Sequence, residues 1–293
     1  MRIKYFARYF GLAAVLLTTI ATGQVTPVKG SAPEIQPAKK RFFRDRKAAP
    51  SRPKDIGQGI QVVNAASFLP GVSPGGLATV FGTNLTDVTG VVEANSNPFP
   101  TILANVSVTV NGVYAPIFSI AYANGLDQIS FAVPWSTVTG PGAAYVKVYD
   151  YGTLVGSLVV DSYIEDPGIF GFQQFGNTYA VALHASDYAL VTPDDPAVLG
   201  EVLVLYVTGL GPVNQDLPDG WGAPSNPPAY TLDPYRVILA GESVSVFFSG
   251  LAPGYVGLYQ LNIQLPRDLP AGDLNLQITS DYANSQSVLL SVR

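Results

Sequence analysis

The sequence predicts an all-β chain in which one sandwich module is made twice. Apolar and polar residues alternate over short runs, as at Val106, Val108 and Val110 against Ser107 and Thr109, the two-residue period of a strand with one buried face. The runs are punctuated by turn residues, most clearly Asn111-Gly112, because both residue types tolerate the positive φ of a type I′ hairpin turn. The stretch Val106–Pro134 also returns as Val237–Pro266, with Gly241 in the turn and Leu261, Ile263 and Leu265 alternating with Asn262 and Gln264.

Composition fits this reading. Charged residues make up 13% of the chain, against roughly 25% in an ordinary soluble domain. The 29 glycines, 24 prolines, 16 tyrosines and 14 phenylalanines suit short strands and tight turns rather than helices. With no cysteine, structural disulfides, thiolate nucleophiles and zinc–thiolate sites are excluded.

Residues 1–23 read as a secretory signal. Arg2, Lys4 and Arg8 precede the apolar run Gly11–Ala21, and Ala21-Thr22-Gly23 offers small residues for cleavage. The run is too short for a spanning helix of about 20 residues, and no later segment replaces it, so the expected location is extracellular or at the cell surface. Residues 24–58 hold nine basic residues, three acids and five prolines. They read as a disordered basic arm, a solvated spacer or a segment that meets anionic envelope polymers. From residue 59 onward only Lys147, Arg236, Arg267 and Arg293 oppose eighteen acids. A body of that charge does not attract nucleic acid.

The first module is expected over residues 59–167. Ser73-Pro74-Gly75-Gly76 makes a turn before the apolar strand Leu77–Phe81. Val106–Pro134 reads as three successive strands, the last carrying Ile129, Phe131 and Val133. Ala144–Tyr149 and Leu154–Asp161 follow around Asp150-Tyr151-Gly152. About seven strands at this spacing predict a sandwich. Glu165-Asp166-Pro167-Gly168 is the expected boundary, short enough for the modules to touch. The second module, residues 168–293, is expected to open with a hairpin of Tyr179–Leu183 and Tyr188–Val191, followed by Glu201–Val207. Phe81–Leu85 aligns with Tyr206–Leu210, and Gly112 with Gly241. Pro212–Pro234 is left as a long loop, the kind of segment that carries function more often than strands do.

The ordered motifs Asn64-Ala65-Ala66-Ser67-Phe68, Ser73-Pro74-Gly75, Phe81-Gly82-Thr83-Asn84-Leu85, Val108–Gly112, Gln128–Pro134, Val204–Pro212 and Tyr259–Pro266 carry a family resemblance. Together they resemble the family of uncharacterised C-terminal domains first described from Solibacter and abundant in exported proteins of Acidobacteria. The opening of each module is also similar to the immunoglobulin-like IPT/TIG pattern. The resemblance spans nearly all of Val62–Arg293 and implies an exported protein of tandem immunoglobulin-like β-sandwiches, with no catalytic residues to carry over.

The residues that could carry chemistry are few. His184 is the one histidine and lies in an apolar run without a G-x-S-x-G nucleophile motif anywhere in the chain; it reads as structural. The carboxylate pairs Glu165/Asp166 and Asp194/Asp195 sit beside prolines, as turn residues do. Asn214, Asp216 and Asp219 offer loop oxygens to a calcium ion without the spacing of an EF-hand. Trp221, Tyr230, Tyr235 and Trp135 are the candidate ligand contacts, because exposed aromatics stack on sugars and anchor protein partners; plugging the junction between modules is the other role open to them. The expected protein is non-enzymatic and adhesion-like, binding glycan or protein. The alternatives are a self-assembling structural protein and, more distantly, a hydrolase acting on glycans.

Overall fold

The computed structural model describes residues 59–137 and 140–293; the signal at 1–23 and the basic arm at 24–58 lie outside the described residues. The first sandwich is formed by β1 (Gln61–Asn64), β2 (Leu77–Gly82), β3 (Val91–Glu93), β4 (Val106–Val110), β5 (Val113–Ala115), β6 (Ile117–Ala123), β7 (Leu126–Ala132), β8 (Gly142–Asp150) and β9 (Thr153–Ser162). One sheet runs β1-β2-β7-β6-β3 and the other β5-β4-β8-β9. This is the immunoglobulin-like arrangement, with β1 and β2 beside β7 and β6 and the sheet β5-β4-β8-β9 facing them. Val80, Val108, Ile129, Phe131, Val146 and Val148 are wholly buried in one apolar cluster between the sheets. Packing of these faces takes the place of the disulfide that the cysteine-free sequence excludes.

Nine strands stand where about seven were expected. The stretch from Val106 holds four strands rather than three, because Pro116 interrupts the chain between β5 and β6. Proline cannot donate to a ladder, and the break lets β5 pair β4 in one sheet while β6 pairs β7 in the other. The hairpin turn falls on Asn111-Gly112 as predicted, with φ of 49° and 87°.

The second sandwich comprises β10 (Gly168–Ile169), β11 (Gly171–Gln174), β12 (Asn177–Ala180), β13 (Ala182–His184), β14 (Val202–Thr208), β15 (Arg236–Leu239), β16 (Glu242–Leu251), β17 (Tyr259–Gln264), β18 (Gly272–Thr279) and β19 (Val288–Val292). The neighbours β14-β17-β16 repeat β2-β7-β6, and β15-β18-β19 repeat β4-β8-β9. The single strand β16 replaces both β5 and β6: Glu242–Val244 pairs β15, and from Ser245 the strand turns to β17 through a bulge at Val246/Phe248. Without an intervening proline the crossing needs only the bulge, which bends a strand. The duplication extends to isolated bridges, with Val72 parallel to Ser162 and Ala197 parallel to Val292.

The expected hairpin of Tyr179–Leu183 and Tyr188–Val191 is present as a short antiparallel contact, with His184 N donating to Ala189 O and Val191 N to Ala182 O, but it is not the regular hairpin that opens the module. The regular opening hairpin is β11 and β12, turning at Phe175-Gly176, while Leu183 meets Leu190 in a short antiparallel bridge. Val181 donates to Phe170 O at 2.7 Å at the point where the chain leaves the sheet of β19 for that of β14, so the run Tyr179–Leu183 is split between two sheets.

The modules share a third apolar cluster, in which Ala65, Ala66, Leu77 and Ala132 of the first pack with Phe170, Tyr206, Ala252 and Leu258 of the second. Thr208, fully buried, bridges them. Its hydroxyl accepts from Leu77 N and donates to Gly257 O, both at 2.8 Å. Asn64 ties the connecting segment from the other side: Oδ1 caps its own turn at Ala66 N and Ser67 N, and Nδ2 donates to Asp166 O at 2.6 Å. Gly209 has a φ of 77°, and a Cβ there would lie 2.0 Å from Asp166 O, so only glycine admits this approach.

Thr208→Val keeps the shape and orphans two buried backbone groups. Each such group costs about 1–3 kcal/mol, so differential scanning calorimetry should show a lower melting temperature and a single transition broadened or split into two.

Candidate functional site

The long loop Pro212–Pro234 is anchored at both ends and in its middle. It leaves β14 at Leu210-Gly211, whose carbonyls accept from two buried phenols, Tyr235 OH at 2.8 Å and Tyr259 OH at 2.5 Å. Burial holds both phenols far above the usual tyrosine range, and Glu165 nearby adds to the effect. At the tip, Asp219 Oδ1 accepts from Trp135 N at 2.8 Å, Phe99 N donates to Gly220 O, and Gly222 N donates to Asn97 Oδ1. The loop of the second module is thus fastened to the first. Its returning arm runs beside β16, with Thr231 N donating to Ser249 O and Leu251 N to Ala229 O, on the side of that strand away from β17.

The four sequence-predicted contacts separate into two pairs. Tyr235 is a correction: it is 6% exposed and belongs to the second core, because its hydroxyl is spent on the loop's root. Trp135 is half-buried against the same core. Its ring lies over Gly75, where a Cβ would come within 2.0 Å of it, so it closes the junction. Trp221 and Tyr230 remain exposed, at 51% and 44%. They flank the end of β16, where Ala223 bridges to Pro253 and Tyr230 to Gly250. Sequence reasoning missed two further exposed apolar residues, Leu232 in the loop's returning arm and Phe247 in β16, which are 60% and 62% exposed. The Phe247-Phe248 doublet was the available signal. It breaks the strand's alternation at the bulge, turning Phe248 onto the ring of Tyr230 with centroids 5.4 Å apart.

A cavity of about 10 Å³ between Trp135, Trp221, Pro116 and Gly257 has room for about one water molecule. Any recognition by this region is therefore by its outer surface.

The remaining candidates are occupied structurally. His184 is buried, its Nδ1 3.1 Å from both oxygens of Glu201 and its Nε2 3.8 Å from Asp195 Oδ2. Glu201 Oε1 also accepts from Val198 N at 2.7 Å, so the histidine and glutamate brace a turn. Asn214 exchanges both its N–H and its Oδ1 with Tyr230, and Asp219 is taken by Trp135 N. Two of the three proposed calcium oxygens are thus turned to backbone amides, and among the described residues no group of three histidine, aspartate or glutamate side chains gathers to hold a metal. Asp194 accepts from Gln174 Nε2.

Glu165 and Asp166 point opposite ways, as neighbours in an extended segment do. Glu165 turns into the second module, where Ser280 Oγ donates to it. Burial is the main cause of its raised pKa, with Asp233 adding to it. Asp166 turns to the first module, where burial raises it to about 6 against the opposing hydrogen bond from Asn64.

No protein-family model and no curated protein matches the chain. Among solved structures, it aligns with SGBP-B from a xyloglucan utilisation locus of Bacteroides uniformis at 13% identity and a TM-score of 0.25, covering 80% of this chain and 48% of that one. The adhesin InvE of Yersinia pseudotuberculosis aligns at 13% identity and 0.20, covering 79% and 58%. Bovine butyrophilin aligns at 10% and 0.22, covering 80% and 99%. The chain spans about half the length of the SGBP-B structure. At these scores the alignments carry no inference about role. Among the described residues no helix is long and apolar enough to cross a membrane.

Because the native pKa of Asp166 is raised, the folded state holds its proton at pH values where the unfolded chain, near 3.9, has released it. The stabilisation this group contributes is complete below about pH 4 and is lost as pH rises through about 6. Glu165 acts with the same sign. The melting temperature should therefore fall from pH 5 to pH 7.5, and Asp166→Asn should reduce that slope by raising the value at pH 7.5.

Proposed function

We propose that this chain is an exported, non-enzymatic interaction module that binds an extracellular glycan or protein through the aromatic surface beside the second module's long loop. The carrying observation is the combination of a fastened backbone and exposed rings. The loop is anchored at its root, tip and returning arm, yet Trp221, Tyr230, Leu232 and Phe247 are left to solvent. Large rings on a backbone ordered in advance lose little entropy on binding, which is the arrangement of an interaction hot spot. The shallow surface fits a polysaccharide strand or a protein face better than a small metabolite, since small-molecule sites are concave. The use of His184, Asp219 and Glu165 in structural hydrogen bonds supports the non-enzymatic reading. Export rests on the signal pattern of residues 1–23, and kinship with the Solibacter-type exported domains on the ordered motifs between Val62 and Arg293.

The test is a screen of the full chain against arrayed bacterial, plant and host polysaccharides and against immobilised extracellular proteins. Whatever ligand is found, Trp221→Ala combined with Tyr230→Ala should weaken it at least tenfold, with an unchanged melting temperature. Binding that survives the double change places recognition elsewhere, and a screen empty of ligands sinks the reading.

A further inference from the structure

The two copies of the module treat one sheet edge differently. In the second, β19 is not terminal: β12 pairs parallel with it at Tyr179 and Leu289, and β11 lies beyond. In the first, the equivalent strand β9 ends its sheet. It is ten residues long, and among the described residues its outer side is engaged at one end alone, where Val72 N donates to Asp161 O and Val72 O accepts from Tyr163 N. Backbone groups alternate in direction along a strand, so the N–H and C=O of Ser157 and Val159 point outward as Asp161 O does. Among the described residues no backbone hydrogen bond reaches the outer side of Thr153–Val160.

Long open edges are normally blunted by charge, proline or a cover. Thr153–Val160 contains neither a charged residue nor a proline. Val159 is 54% exposed, and its cross-strand partner Tyr145 is 58% exposed.

We propose that β9 is an assembly edge, pairing antiparallel with β9 of a second copy of this chain about a two-fold axis at Leu158. Three observations favour a second copy over a foreign peptide. An antiparallel strand pair is its own complement under a two-fold axis, as a closed dimer requires. With the axis at Leu158, each Ser157 faces the other copy's Val159, and both are residues whose free backbone groups point outward, so four hydrogen bonds form within Gly156–Val160. The ladder ends there, because Val72 holds the next outward position at Asp161 and β9 bends at the register shift beside Val155. The segment is uncharged, so two chains whose described bodies are strongly acidic meet without like charges opposed across the new ladder. The outcome is one eight-stranded sheet made of two copies of β5-β4-β8-β9, with a row of Tyr145, Val159, Ser157 and Lys147 crossing the seam twice. This surface is separate from the aromatic loop, so one can fail without the other.

Sedimentation equilibrium of the full chain from micromolar to near-millimolar concentration tests the proposal. Wild type should show a concentration-dependent dimer. Val159→Lys, which charges an exposed position, should shift the dissociation constant at least tenfold with an unchanged melting temperature. Because the chain has no cysteine, the double substitution Ser157→Cys and Val159→Cys provides a second readout: mild oxidation should give a covalent dimer linked between copies. A wild-type chain that stays monomeric throughout the range overturns the proposal, as does a dimer indifferent to Val159→Lys. Slow amide exchange at Ser157 and Val159 in the dilute monomer also overturns it, because a segment of the same chain would then already cover the edge.

Discussion

The junction between the modules is the constraint on which the rest of the molecule depends, and the Thr208 hydroxyl is its centre. A buried strand end leaves backbone donors and acceptors that water cannot reach, and each must find a partner within the protein. Here one hydroxyl serves both sides, taking the N–H that opens β2 and supplying the carbonyl of Gly257 before β17. The strand ends of one sandwich thereby become partners for those of the other. Tandem domains in one chain ordinarily meet through modest, polar contacts that leave them free to move. A shared cluster of alanine, leucine, phenylalanine and tyrosine side chains makes this pair one body.

A single body changes what the long loop can be. Fastened to one sandwich, a loop of that length would be the least ordered part of the surface. Fastened to both, through Asp219 on Trp135 and Asn97 on Gly222, it becomes a strut across the junction. Trp135 is the connecting piece. It extends the last strand of the first module's hairpin, lies on Gly75, and packs against the core of the second module.

Alternation and turn chemistry made most of the fold legible in the sequence. β4 with its Asn-Gly turn, β7, β8 with β9, and β17 stand where the pattern placed them, because apolar residues on the core face alternate with mostly polar ones on the other, even in β4 and β7 where that second face is covered too. The errors fall where a strand changes sheets. β6 was merged into its neighbours because Ile117–Ala123 has no clean alternation, and both faces of much of it are covered. The β12–β13 run reads as one strand, yet its halves belong to different sheets. Nothing local announces such a switch, since β19, the partner of the first half, lies more than a hundred residues away. The candidate site was legible in part. The loop and its exposed Trp221 and Tyr230 were readable from composition, whereas Tyr235 has the same chemistry in sequence. Only the position of Leu210 O decides that its hydroxyl faces inward.

The internal repeat separates scaffold from what is particular to each copy. Features present twice, such as the parallel bridges at Val72 and Ala197, belong to closing a sandwich. The same turn carries Asn64 in the first module and His184 in the second, with Phe68 and Tyr188 both in the left-handed region at φ of 59° and 63°. Asn64 faces the connecting segment, where its amide can both donate and accept. His184 takes Glu201 of its own module instead. The chemistry of that position thus follows from what each copy packs against it. The same logic gives weight to β9: a strand whose twin is covered has kept the uncharged sequence of a strand meant to be paired.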